Sequence, residues 1–168
     1  MGNYSVIKNF CTSNGPGVRI AVYLSGCSLH CKGCFNHDIW NYESGSILDK
    51  ETINKIIKSL EPEYIEGLSI LGGEPLDVKN QKSTLALVKA VREHFGDKKT
   101  IWVWSGYVFN KNIPIIKKEN ITESILKNIN VLVDGPFILE KQDITPKFRG
   151  SSNQRILHLK NGKIDFIE

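Results

Sequence analysis

The sequence predicts an α/β protein, a truncated βα barrel with a parallel sheet of about five to six strands and a C-terminal hairpin. Strand-like and helix-like patterns alternate along most of the chain, and this order is typical of a parallel sheet with right-handed crossovers. The length of 168 residues excludes a complete eight-unit barrel, which usually takes about 250 residues. An Asn161-Gly162 pair between two alternating segments predicts the hairpin.

The first half of the chain predicts two strands and two helices. Residues 18–25 place Val18, Ile20, Val22 and Leu24 on one face in the manner of a strand. Asp49 is placed to cap a helix. The apolar positions of that helix recur on one helical face at Ile53, Ile56, Ile57 and Leu60. Residues 68–71 form a short buried strand, and residues 80–95 carry the next helical pattern.

The second half continues the alternation. Residues 100–104 are rich in β-branched and aromatic side chains, which predicts a third strand. Thr122 is expected to cap a short helix, and residues 130–133 are the fourth strand. Residues 137–154 contain Pro, Gly and polar side chains without a clear period, which favours a functional loop.

Composition indicates one folded domain over residues 1–168. Hydrophobic residues make up 40% of the chain and charged residues 24%, which suits a single core. The net charge of +4 is dispersed, so we expect a solvated surface and no nucleic-acid partner. No apolar run approaches the roughly 20 residues that span a bilayer, and the N-terminus lacks a signal-peptide core. We therefore expect a cytoplasmic protein that does not contact membranes.

Candidate ligands follow all four predicted parallel strands. In strand order, they are Cys27, Cys31 and Cys34, then Glu74, then Ser105, and finally Asp134. Because the carboxyl ends of parallel strands lie at one edge of a sheet, we expect these side chains to converge there.

The cysteine triplet has the spacing Cys27-x3-Cys31-x2-Cys34. Three thiolates can hold three irons of a four-iron cluster, which leaves the fourth iron open to a substrate. Spacing alone also allows a zinc site completed by His30 or His37. The remaining Cys11 is either a fourth ligand or, as we favour, a small apolar core residue.

Several segments resemble a known family. The cysteine spacing resembles the signature of the radical S-adenosylmethionine (SAM) enzymes, and Gly72-Gly73-Glu74-Pro75 resembles their GGEP motif. Five further segments resemble, in order, the activating proteins of anaerobic ribonucleoside-triphosphate reductase. They are NGPGVR at 14–19, CSLHCKGCFN at 27–36, WSGY at 104–107, VDGPF at 133–137 and FRGSSNQRI at 148–156. Asn14 stands where Asp is common in that family.

This resemblance implies an iron-sulfur oxidoreductase of the glycyl-radical activase type. Cys27, Cys31 and Cys34 would ligate a [4Fe-4S] cluster, and SAM would chelate the iron that has no cysteine ligand. Reductive cleavage of SAM would yield a 5′-deoxyadenosyl radical, which abstracts hydrogen from a glycine of the large reductase subunit. The electron would come from a donor such as flavodoxin or ferredoxin. The open side of the barrel would dock the large protein substrate.

The resemblance also implies contacts to SAM. Glu74 is the candidate acceptor for the SAM ammonium, aided by backbone groups of Gly72 and Gly73. Ser105 either binds the SAM carboxylate or ribose or caps the end of its strand. Asp134 is expected to accept the ribose hydroxyls, with a simple turn role as the alternative.

Two other functions remain open from the sequence. One is a different radical SAM enzyme, such as a pyruvate formate-lyase activator. The other is a module that binds zinc or transfers electrons. The polar residues Arg149, Asn153, Gln154 and Arg155 either contact SAM or the partner, or are solvated loop residues.

Overall fold

The computed structural model describes residues 1–116 and 120–168. The strands are β1 (Asn3–Cys11), β2 (Val18–Leu24), β3 (Ser46–Ile47), β4 (Ile65–Gly72), β5 (Thr100–Ser105), β6 (Val131–Asp134), β7 (Arg155–Lys160) and β8 (Lys163–Ile167). The α-helices are α1 (Lys50–Leu60), α2 (Gln81–Phe95) and α3 (Ile121–Asn128). Short 3-10 helices span His37–Ile39 and Leu139–Lys141.

The strands form one mixed sheet in the order β3-β1-β2-β4-β5-β6-β7-β8. The pairs β2–β4, β4–β5 and β5–β6 are parallel, which confirms the predicted α/β class and its four parallel strands. The prediction of a parallel sheet of about five to six strands is wrong, because antiparallel strands flank this centre on both sides. Closure into a truncated barrel stays a prediction.

Strand β1 escaped prediction because its side chains are mostly exposed and show no clean apolar alternation. It pairs antiparallel with β2 and with the two-residue strand β3. The C-terminal hairpin, in contrast, is confirmed as β7 and β8. Its turn residues Asn161 and Gly162 have φ of 51° and 74°, as the favoured two-residue hairpin turn requires.

The main core lies between the helices and one face of the sheet. The four apolar residues predicted for α1 are all buried there, and the Asp49 side chain accepts a hydrogen bond from Thr52 N at 2.8 Å as its cap. On β5, Ile101 and Val103 join this core, whereas Trp102 belongs to a smaller cluster. Since side chains alternate along a strand, Trp102 lies on the opposite face of the sheet.

The predicted cap of α3 is wrong. The helix begins at Ile121, so Thr122 lies inside its first turn. Its Oγ1 donates to Gln81 Oε1 at 2.6 Å and accepts from Ile116 N at 2.9 Å. The Thr122 hydroxyl therefore donates to the buried amide of Gln81 on α2 and does not cap α3. Within the described residues, no helix has the length and apolar character needed to cross a membrane.

Candidate functional site

A cavity of about 160 Å³ lies at the carboxyl ends of the parallel strands. It brings together seven of the eight predicted site residues. These are Cys27, Cys31, Cys34, Gly72, Gly73, Glu74 and Ser105. Asp134 is not among the lining residues, although its neighbour Gly135 is. The expected convergence of strand ends thus holds for β2, β4 and β5, and in part for β6.

The three cysteines lie in the loop that follows β2. All four cysteines of the chain lie in the described ranges and are free thiols. Cys27 is buried and Cys31 and Cys34 are half-buried, and burial raises the pKa of the Cys27 and Cys31 thiols. Cys11 lies elsewhere, in a small core cluster with Ala21. This placement agrees with the predicted core role for Cys11.

The two histidines near the triplet have partners of their own. His30 stacks on Trp40 with ring centroids 4.3 Å apart, and His37 Nε2 lies 2.8 Å from a carboxylate oxygen of Asp38. Across residues 1–116 and 120–168, no group of three or more His, Cys, Asp or Glu side chains is arranged around a single metal-ion position. The donor set on the cavity wall is three thiols, the ligand type that iron-sulfur clusters take.

The loop after β4 packs directly on the cysteine loop. Gly73 N donates to Leu24 O at 2.7 Å, and Glu74 N donates to Gly26 O at 2.8 Å. A Cβ on Gly73 would lie 2.1 Å from Gly26 O, so only glycine fits. The glycine therefore allows the close contact between two backbones.

Glu74 is buried at the wall of the cavity and braces the end of the neighbouring strand. Its carboxylate accepts hydrogen bonds from Ser105 Oγ at 2.8 Å, Gly106 N at 2.7 Å and Leu76 N at 2.9 Å. Burial raises its pKa to about 7, despite these hydrogen bonds. The Ser105 hydroxyl donates its hydrogen to Glu74 and accepts from Tyr107 N at 3.1 Å. Glu74 and Ser105, both predicted as site residues, are thus joined by a hydrogen bond.

Asp134 is engaged within the protein. Its carboxylate accepts from Arg155 Nε at 2.8 Å and Nη2 at 2.5 Å, and from Phe109 N at 2.8 Å. The Asp134 side chain is fully buried, and the pairing raises the pKa of Arg155. A bidentate ion pair therefore ties the end of β6 to the start of β7.

A second cavity, of about 460 Å³, adjoins the first. The two share five lining residues, namely Cys34, Asn36, Trp104, Phe137 and Gln154. The second cavity adds Lys147 and Arg149, and none of the described residues that line it is acidic. Arg149 Nε is buried and meets no hydrogen-bond partner in the described part of the chain. This cavity is therefore cationic and reaches the cysteine triplet at Cys34.

Two residues support this second cavity. From the sequence, the role of Gln154 stayed open and Arg19 had no assigned role. Gln154 Oε1 accepts from Gly150 N at 2.8 Å, and its Nε2 donates to Gly135 O at 3.0 Å, which holds the loop at residues 137–154 in place. Arg19 is fully buried, and burial lowers its pKa to about 10. It donates to Ser69 Oγ, which in turn donates to the carbonyl of Asn14 on the cavity wall.

Comparison with known proteins agrees with this arrangement. A family model described as a 4Fe-4S single cluster domain matches residues 13–157. An anaerobic ribonucleoside-triphosphate reductase-activating protein of Vibrio cholerae is 39% identical over 145 residues, covering 85% of this chain and 89% of the relative. The protein of the same name from Enterobacteria phage T4 is 36% identical over 156 residues, covering 92% of each chain. That of Escherichia coli K12 is 37% identical over 149 residues, covering 88% of this chain and 92% of the relative.

Proposed function

Because this chain belongs to the family of the anaerobic ribonucleoside-triphosphate reductase-activating proteins, we propose that it generates a glycyl radical on the large subunit of that reductase. The proposed reaction begins with the reductive cleavage of SAM. One electron from a donor such as flavodoxin or ferredoxin breaks the S–C5′ bond, which gives methionine and a 5′-deoxyadenosyl radical. That radical takes a hydrogen atom from a glycine Cα, so that 5′-deoxyadenosine and a glycyl radical remain. We place this activity in the cytoplasm.

One observation carries the proposal: three free cysteines and the loop at Gly72-Gly73-Glu74 line the same small cavity. A [4Fe-4S] cluster bound there would supply the electron for SAM cleavage. Cys27, Cys31 and Cys34 would hold three of its irons, and the described lining residues include no fourth thiol. A cluster held by these three thiols would keep one coordination position for SAM.

The remaining wall would position SAM. We propose that Glu74 accepts the SAM ammonium with the unused capacity of its carboxylate, beside the backbone of Gly72 and Gly73. Ser105 keeps the Glu74 carboxylate at the cavity wall and stays a candidate contact to the SAM carboxylate or ribose. A ribose contact to Asp134 would have to share that carboxylate with Arg155.

The glycine of the partner must approach SAM through an open passage. We propose that the polypeptide enters by the second cavity, which is larger than the first and continuous with it through the shared residues. We further interpret the sheet as a truncated barrel whose open side admits this segment. The entering segment would fill the passage and so exclude other hydrogen donors from the radical.

Anaerobic activation of the cognate reductase tests this function. The chain is loaded with iron and sulfide, reduced and given SAM with the large subunit. We expect 5′-deoxyadenosine and a glycyl signal by electron paramagnetic resonance (EPR). Absence of 5′-deoxyadenosine after full cluster loading would refute SAM cleavage. Cleavage without a glycyl signal would favour another radical SAM enzyme, and stoichiometric zinc without iron in anaerobically purified protein would favour the zinc module.

A further inference from the structure

We infer that the turn leading into α2, residues 77–80, positions Cys27 against the loop at Gly72-Gly73-Glu74, and that Asn80 is its central positioning residue. The inference rests on the proposed function, because it concerns the geometry between the cluster and SAM. Neither Asp77 nor Asn80 belongs to the motifs that carry the family resemblance. Both reach the cysteine loop from a segment about 50 residues further along the chain.

Asn80 joins the two loops through one buried amide. It is 1% exposed, and its Nδ2 lies 3.1 Å from Ser25 O, 3.0 Å from Gly26 O and 3.0 Å from Glu74 O. Although Asn80 stands at the N-cap of α2, its side chain makes no capping hydrogen bond with any described residue. The amide therefore serves the contact between the loops rather than the helix that carries it.

Asp77 holds the other side of the first cysteine. Its Oδ2 accepts a hydrogen bond from Ser28 Oγ at 2.5 Å, and its Oδ1 accepts from Lys79 N at 3.0 Å. Asn80 thus holds the two residues before Cys27, and Asp77 holds the residue after it. The residues on both sides of Cys27 are therefore held by one turn, residues 77–80.

The contacts of Asn80 and Asp77 fix the distance between Cys27 and the proposed SAM site, and the proposed chemistry depends on that distance. Gly26 O accepts from both Glu74 N and Asn80 Nδ2, so one carbonyl fixes the cysteine loop to the proposed SAM site. Inner-sphere contact between SAM and the cluster tolerates little displacement, and a shift of about 1 Å can slow a reaction about 100-fold. Partners outside the ligand shell of a metal commonly change affinity or activity about 10- to 100-fold when they are removed.

Asn80→Asp is the sharpest variant, because it keeps the shape but turns an N–H donor into an oxygen that faces three carbonyl oxygens. Asn130→Asp is the matched control at the opposite end of the strands, where the Asn130 amide oxygen accepts from Ile101 N and Arg92 Nη2. Both proteins and the wild type are reconstituted anaerobically. Each is measured for iron content, thermal unfolding, 5′-deoxyadenosine formed per loaded cluster, and the change that SAM causes in the EPR spectrum of the reduced cluster.

We expect Asn80→Asp to form about 10- to 100-fold less 5′-deoxyadenosine per cluster, with a weakened response of the EPR spectrum to SAM. Asn130→Asp retains an oxygen that accepts from Ile101 N and Arg92 Nη2, so it should stay folded and keep the wild-type rate per cluster. Loss of iron from Asn80→Asp, with iron retained by Asn130→Asp, supports the inference equally. Wild-type rate and EPR response in a folded, loaded Asn80→Asp protein would overturn it.

Asp77→Asn keeps the inference testable if Asn80→Asp does not fold. The new side chain can still accept from Lys79 N but offers Ser28 an amide nitrogen in place of an oxygen. We expect about 10-fold less 5′-deoxyadenosine per loaded cluster. An unchanged rate and EPR response would count against the positioning role of this turn. Failure of the wild-type protein to cleave SAM would instead refute the proposed function, so the two failures are distinguishable.

Discussion

The two walls of the first cavity differ in how much the fold holds them. The wall at the ends of β4 and β5 is buried and hydrogen-bonded, with Glu74 1% exposed and Ser105 4% exposed. The wall from the cysteine loop is buried at Cys27 but open beyond it, with Cys31 and Cys34 half-buried and Phe35 70% exposed. The strand-end wall is thus formed by the fold itself, whereas the cysteine wall beyond Cys27 presents thiols for a bound group to order. Binding of a cluster would then add stability to the folded state.

Removing a thiol from the open wall should give the largest functional effect. We expect Cys31→Ser to lose iron and all SAM cleavage, since a cluster held by two thiolates is not retained. Without metal, its free energy of unfolding should stay within about 0.5 kcal/mol of the wild type, because Cys31 is half-buried. Iron analysis, product assay and denaturant unfolding measure these effects. Cys11→Ser is the control, and loss of iron from that variant would contradict the three-cysteine site.

On the buried wall, the largest effect should depend on pH. Burial raises the pKa of Glu74 to about 7, above its usual 4.5. The folded protein therefore keeps this proton up to about pH 7, whereas the unfolded chain loses it near pH 4.5. The associated stability is complete below pH 4.5 and is lost as the pH rises to about 7, by about 3 kcal/mol.

Comparison of variants isolates the contribution of Glu74 to the change of the free energy of unfolding with pH. In Glu74→Gln the free energy of unfolding should no longer fall by this amount between pH 4.5 and 7. The exposed Glu51, which pairs with Lys55 on the surface of α1, provides the control Glu51→Gln, and that variant should keep the wild-type slope. Denaturant unfolding at several pH values measures it. Parallel pH profiles for wild type and Glu74→Gln would show that folding does not raise the pKa of Glu74.

The ion pair beyond the cavity should give a smaller loss of stability. Asp134→Asn removes the charge that faces Arg155 and weakens a buried hydrogen-bond site, which we expect to cost about 2 kcal/mol in denaturant unfolding. Asp97→Asn is the control, because Asp97 is fully exposed and lies 3.9 Å from Arg92. Equal stability of the two variants would mean that the end of β6 is held by other contacts.

The smallest effect should come from the exposed aromatic of the cysteine wall. Phe35→Ala should change the free energy of unfolding of the metal-free chain by less than about 0.5 kcal/mol, because its ring is 70% exposed. Leu71→Ala, on the opposite wall, removes a buried side chain and should cost about 2 kcal/mol or more. Similar losses for the two variants would erase the contrast between the walls.

Much of the fold and part of the site could be predicted because their causes are local. The Asp49 cap, the apolar face of α1 and the turn at Asn161-Gly162 each depend on residues within one or two turns of chain. The parallel order followed from the alternation of elements. Convergence of the cysteines with Glu74 and Ser105 followed from the common edge of parallel strands.

By itself, the sequence determined the α/β order, the grouping of three thiols and the strand ends that carry candidate ligands. Only the tertiary structure decided that β1 joins the sheet, that Gln81 takes the Thr122 hydroxyl, and that Asn80 reaches the cysteine loop. The physical reason is the distance along the chain. The Gln81–Thr122 and Asn80–Ser25 contacts join residues 41 and 55 positions apart, and the hydrogen-bond needs of buried polar groups are settled only when the elements pack.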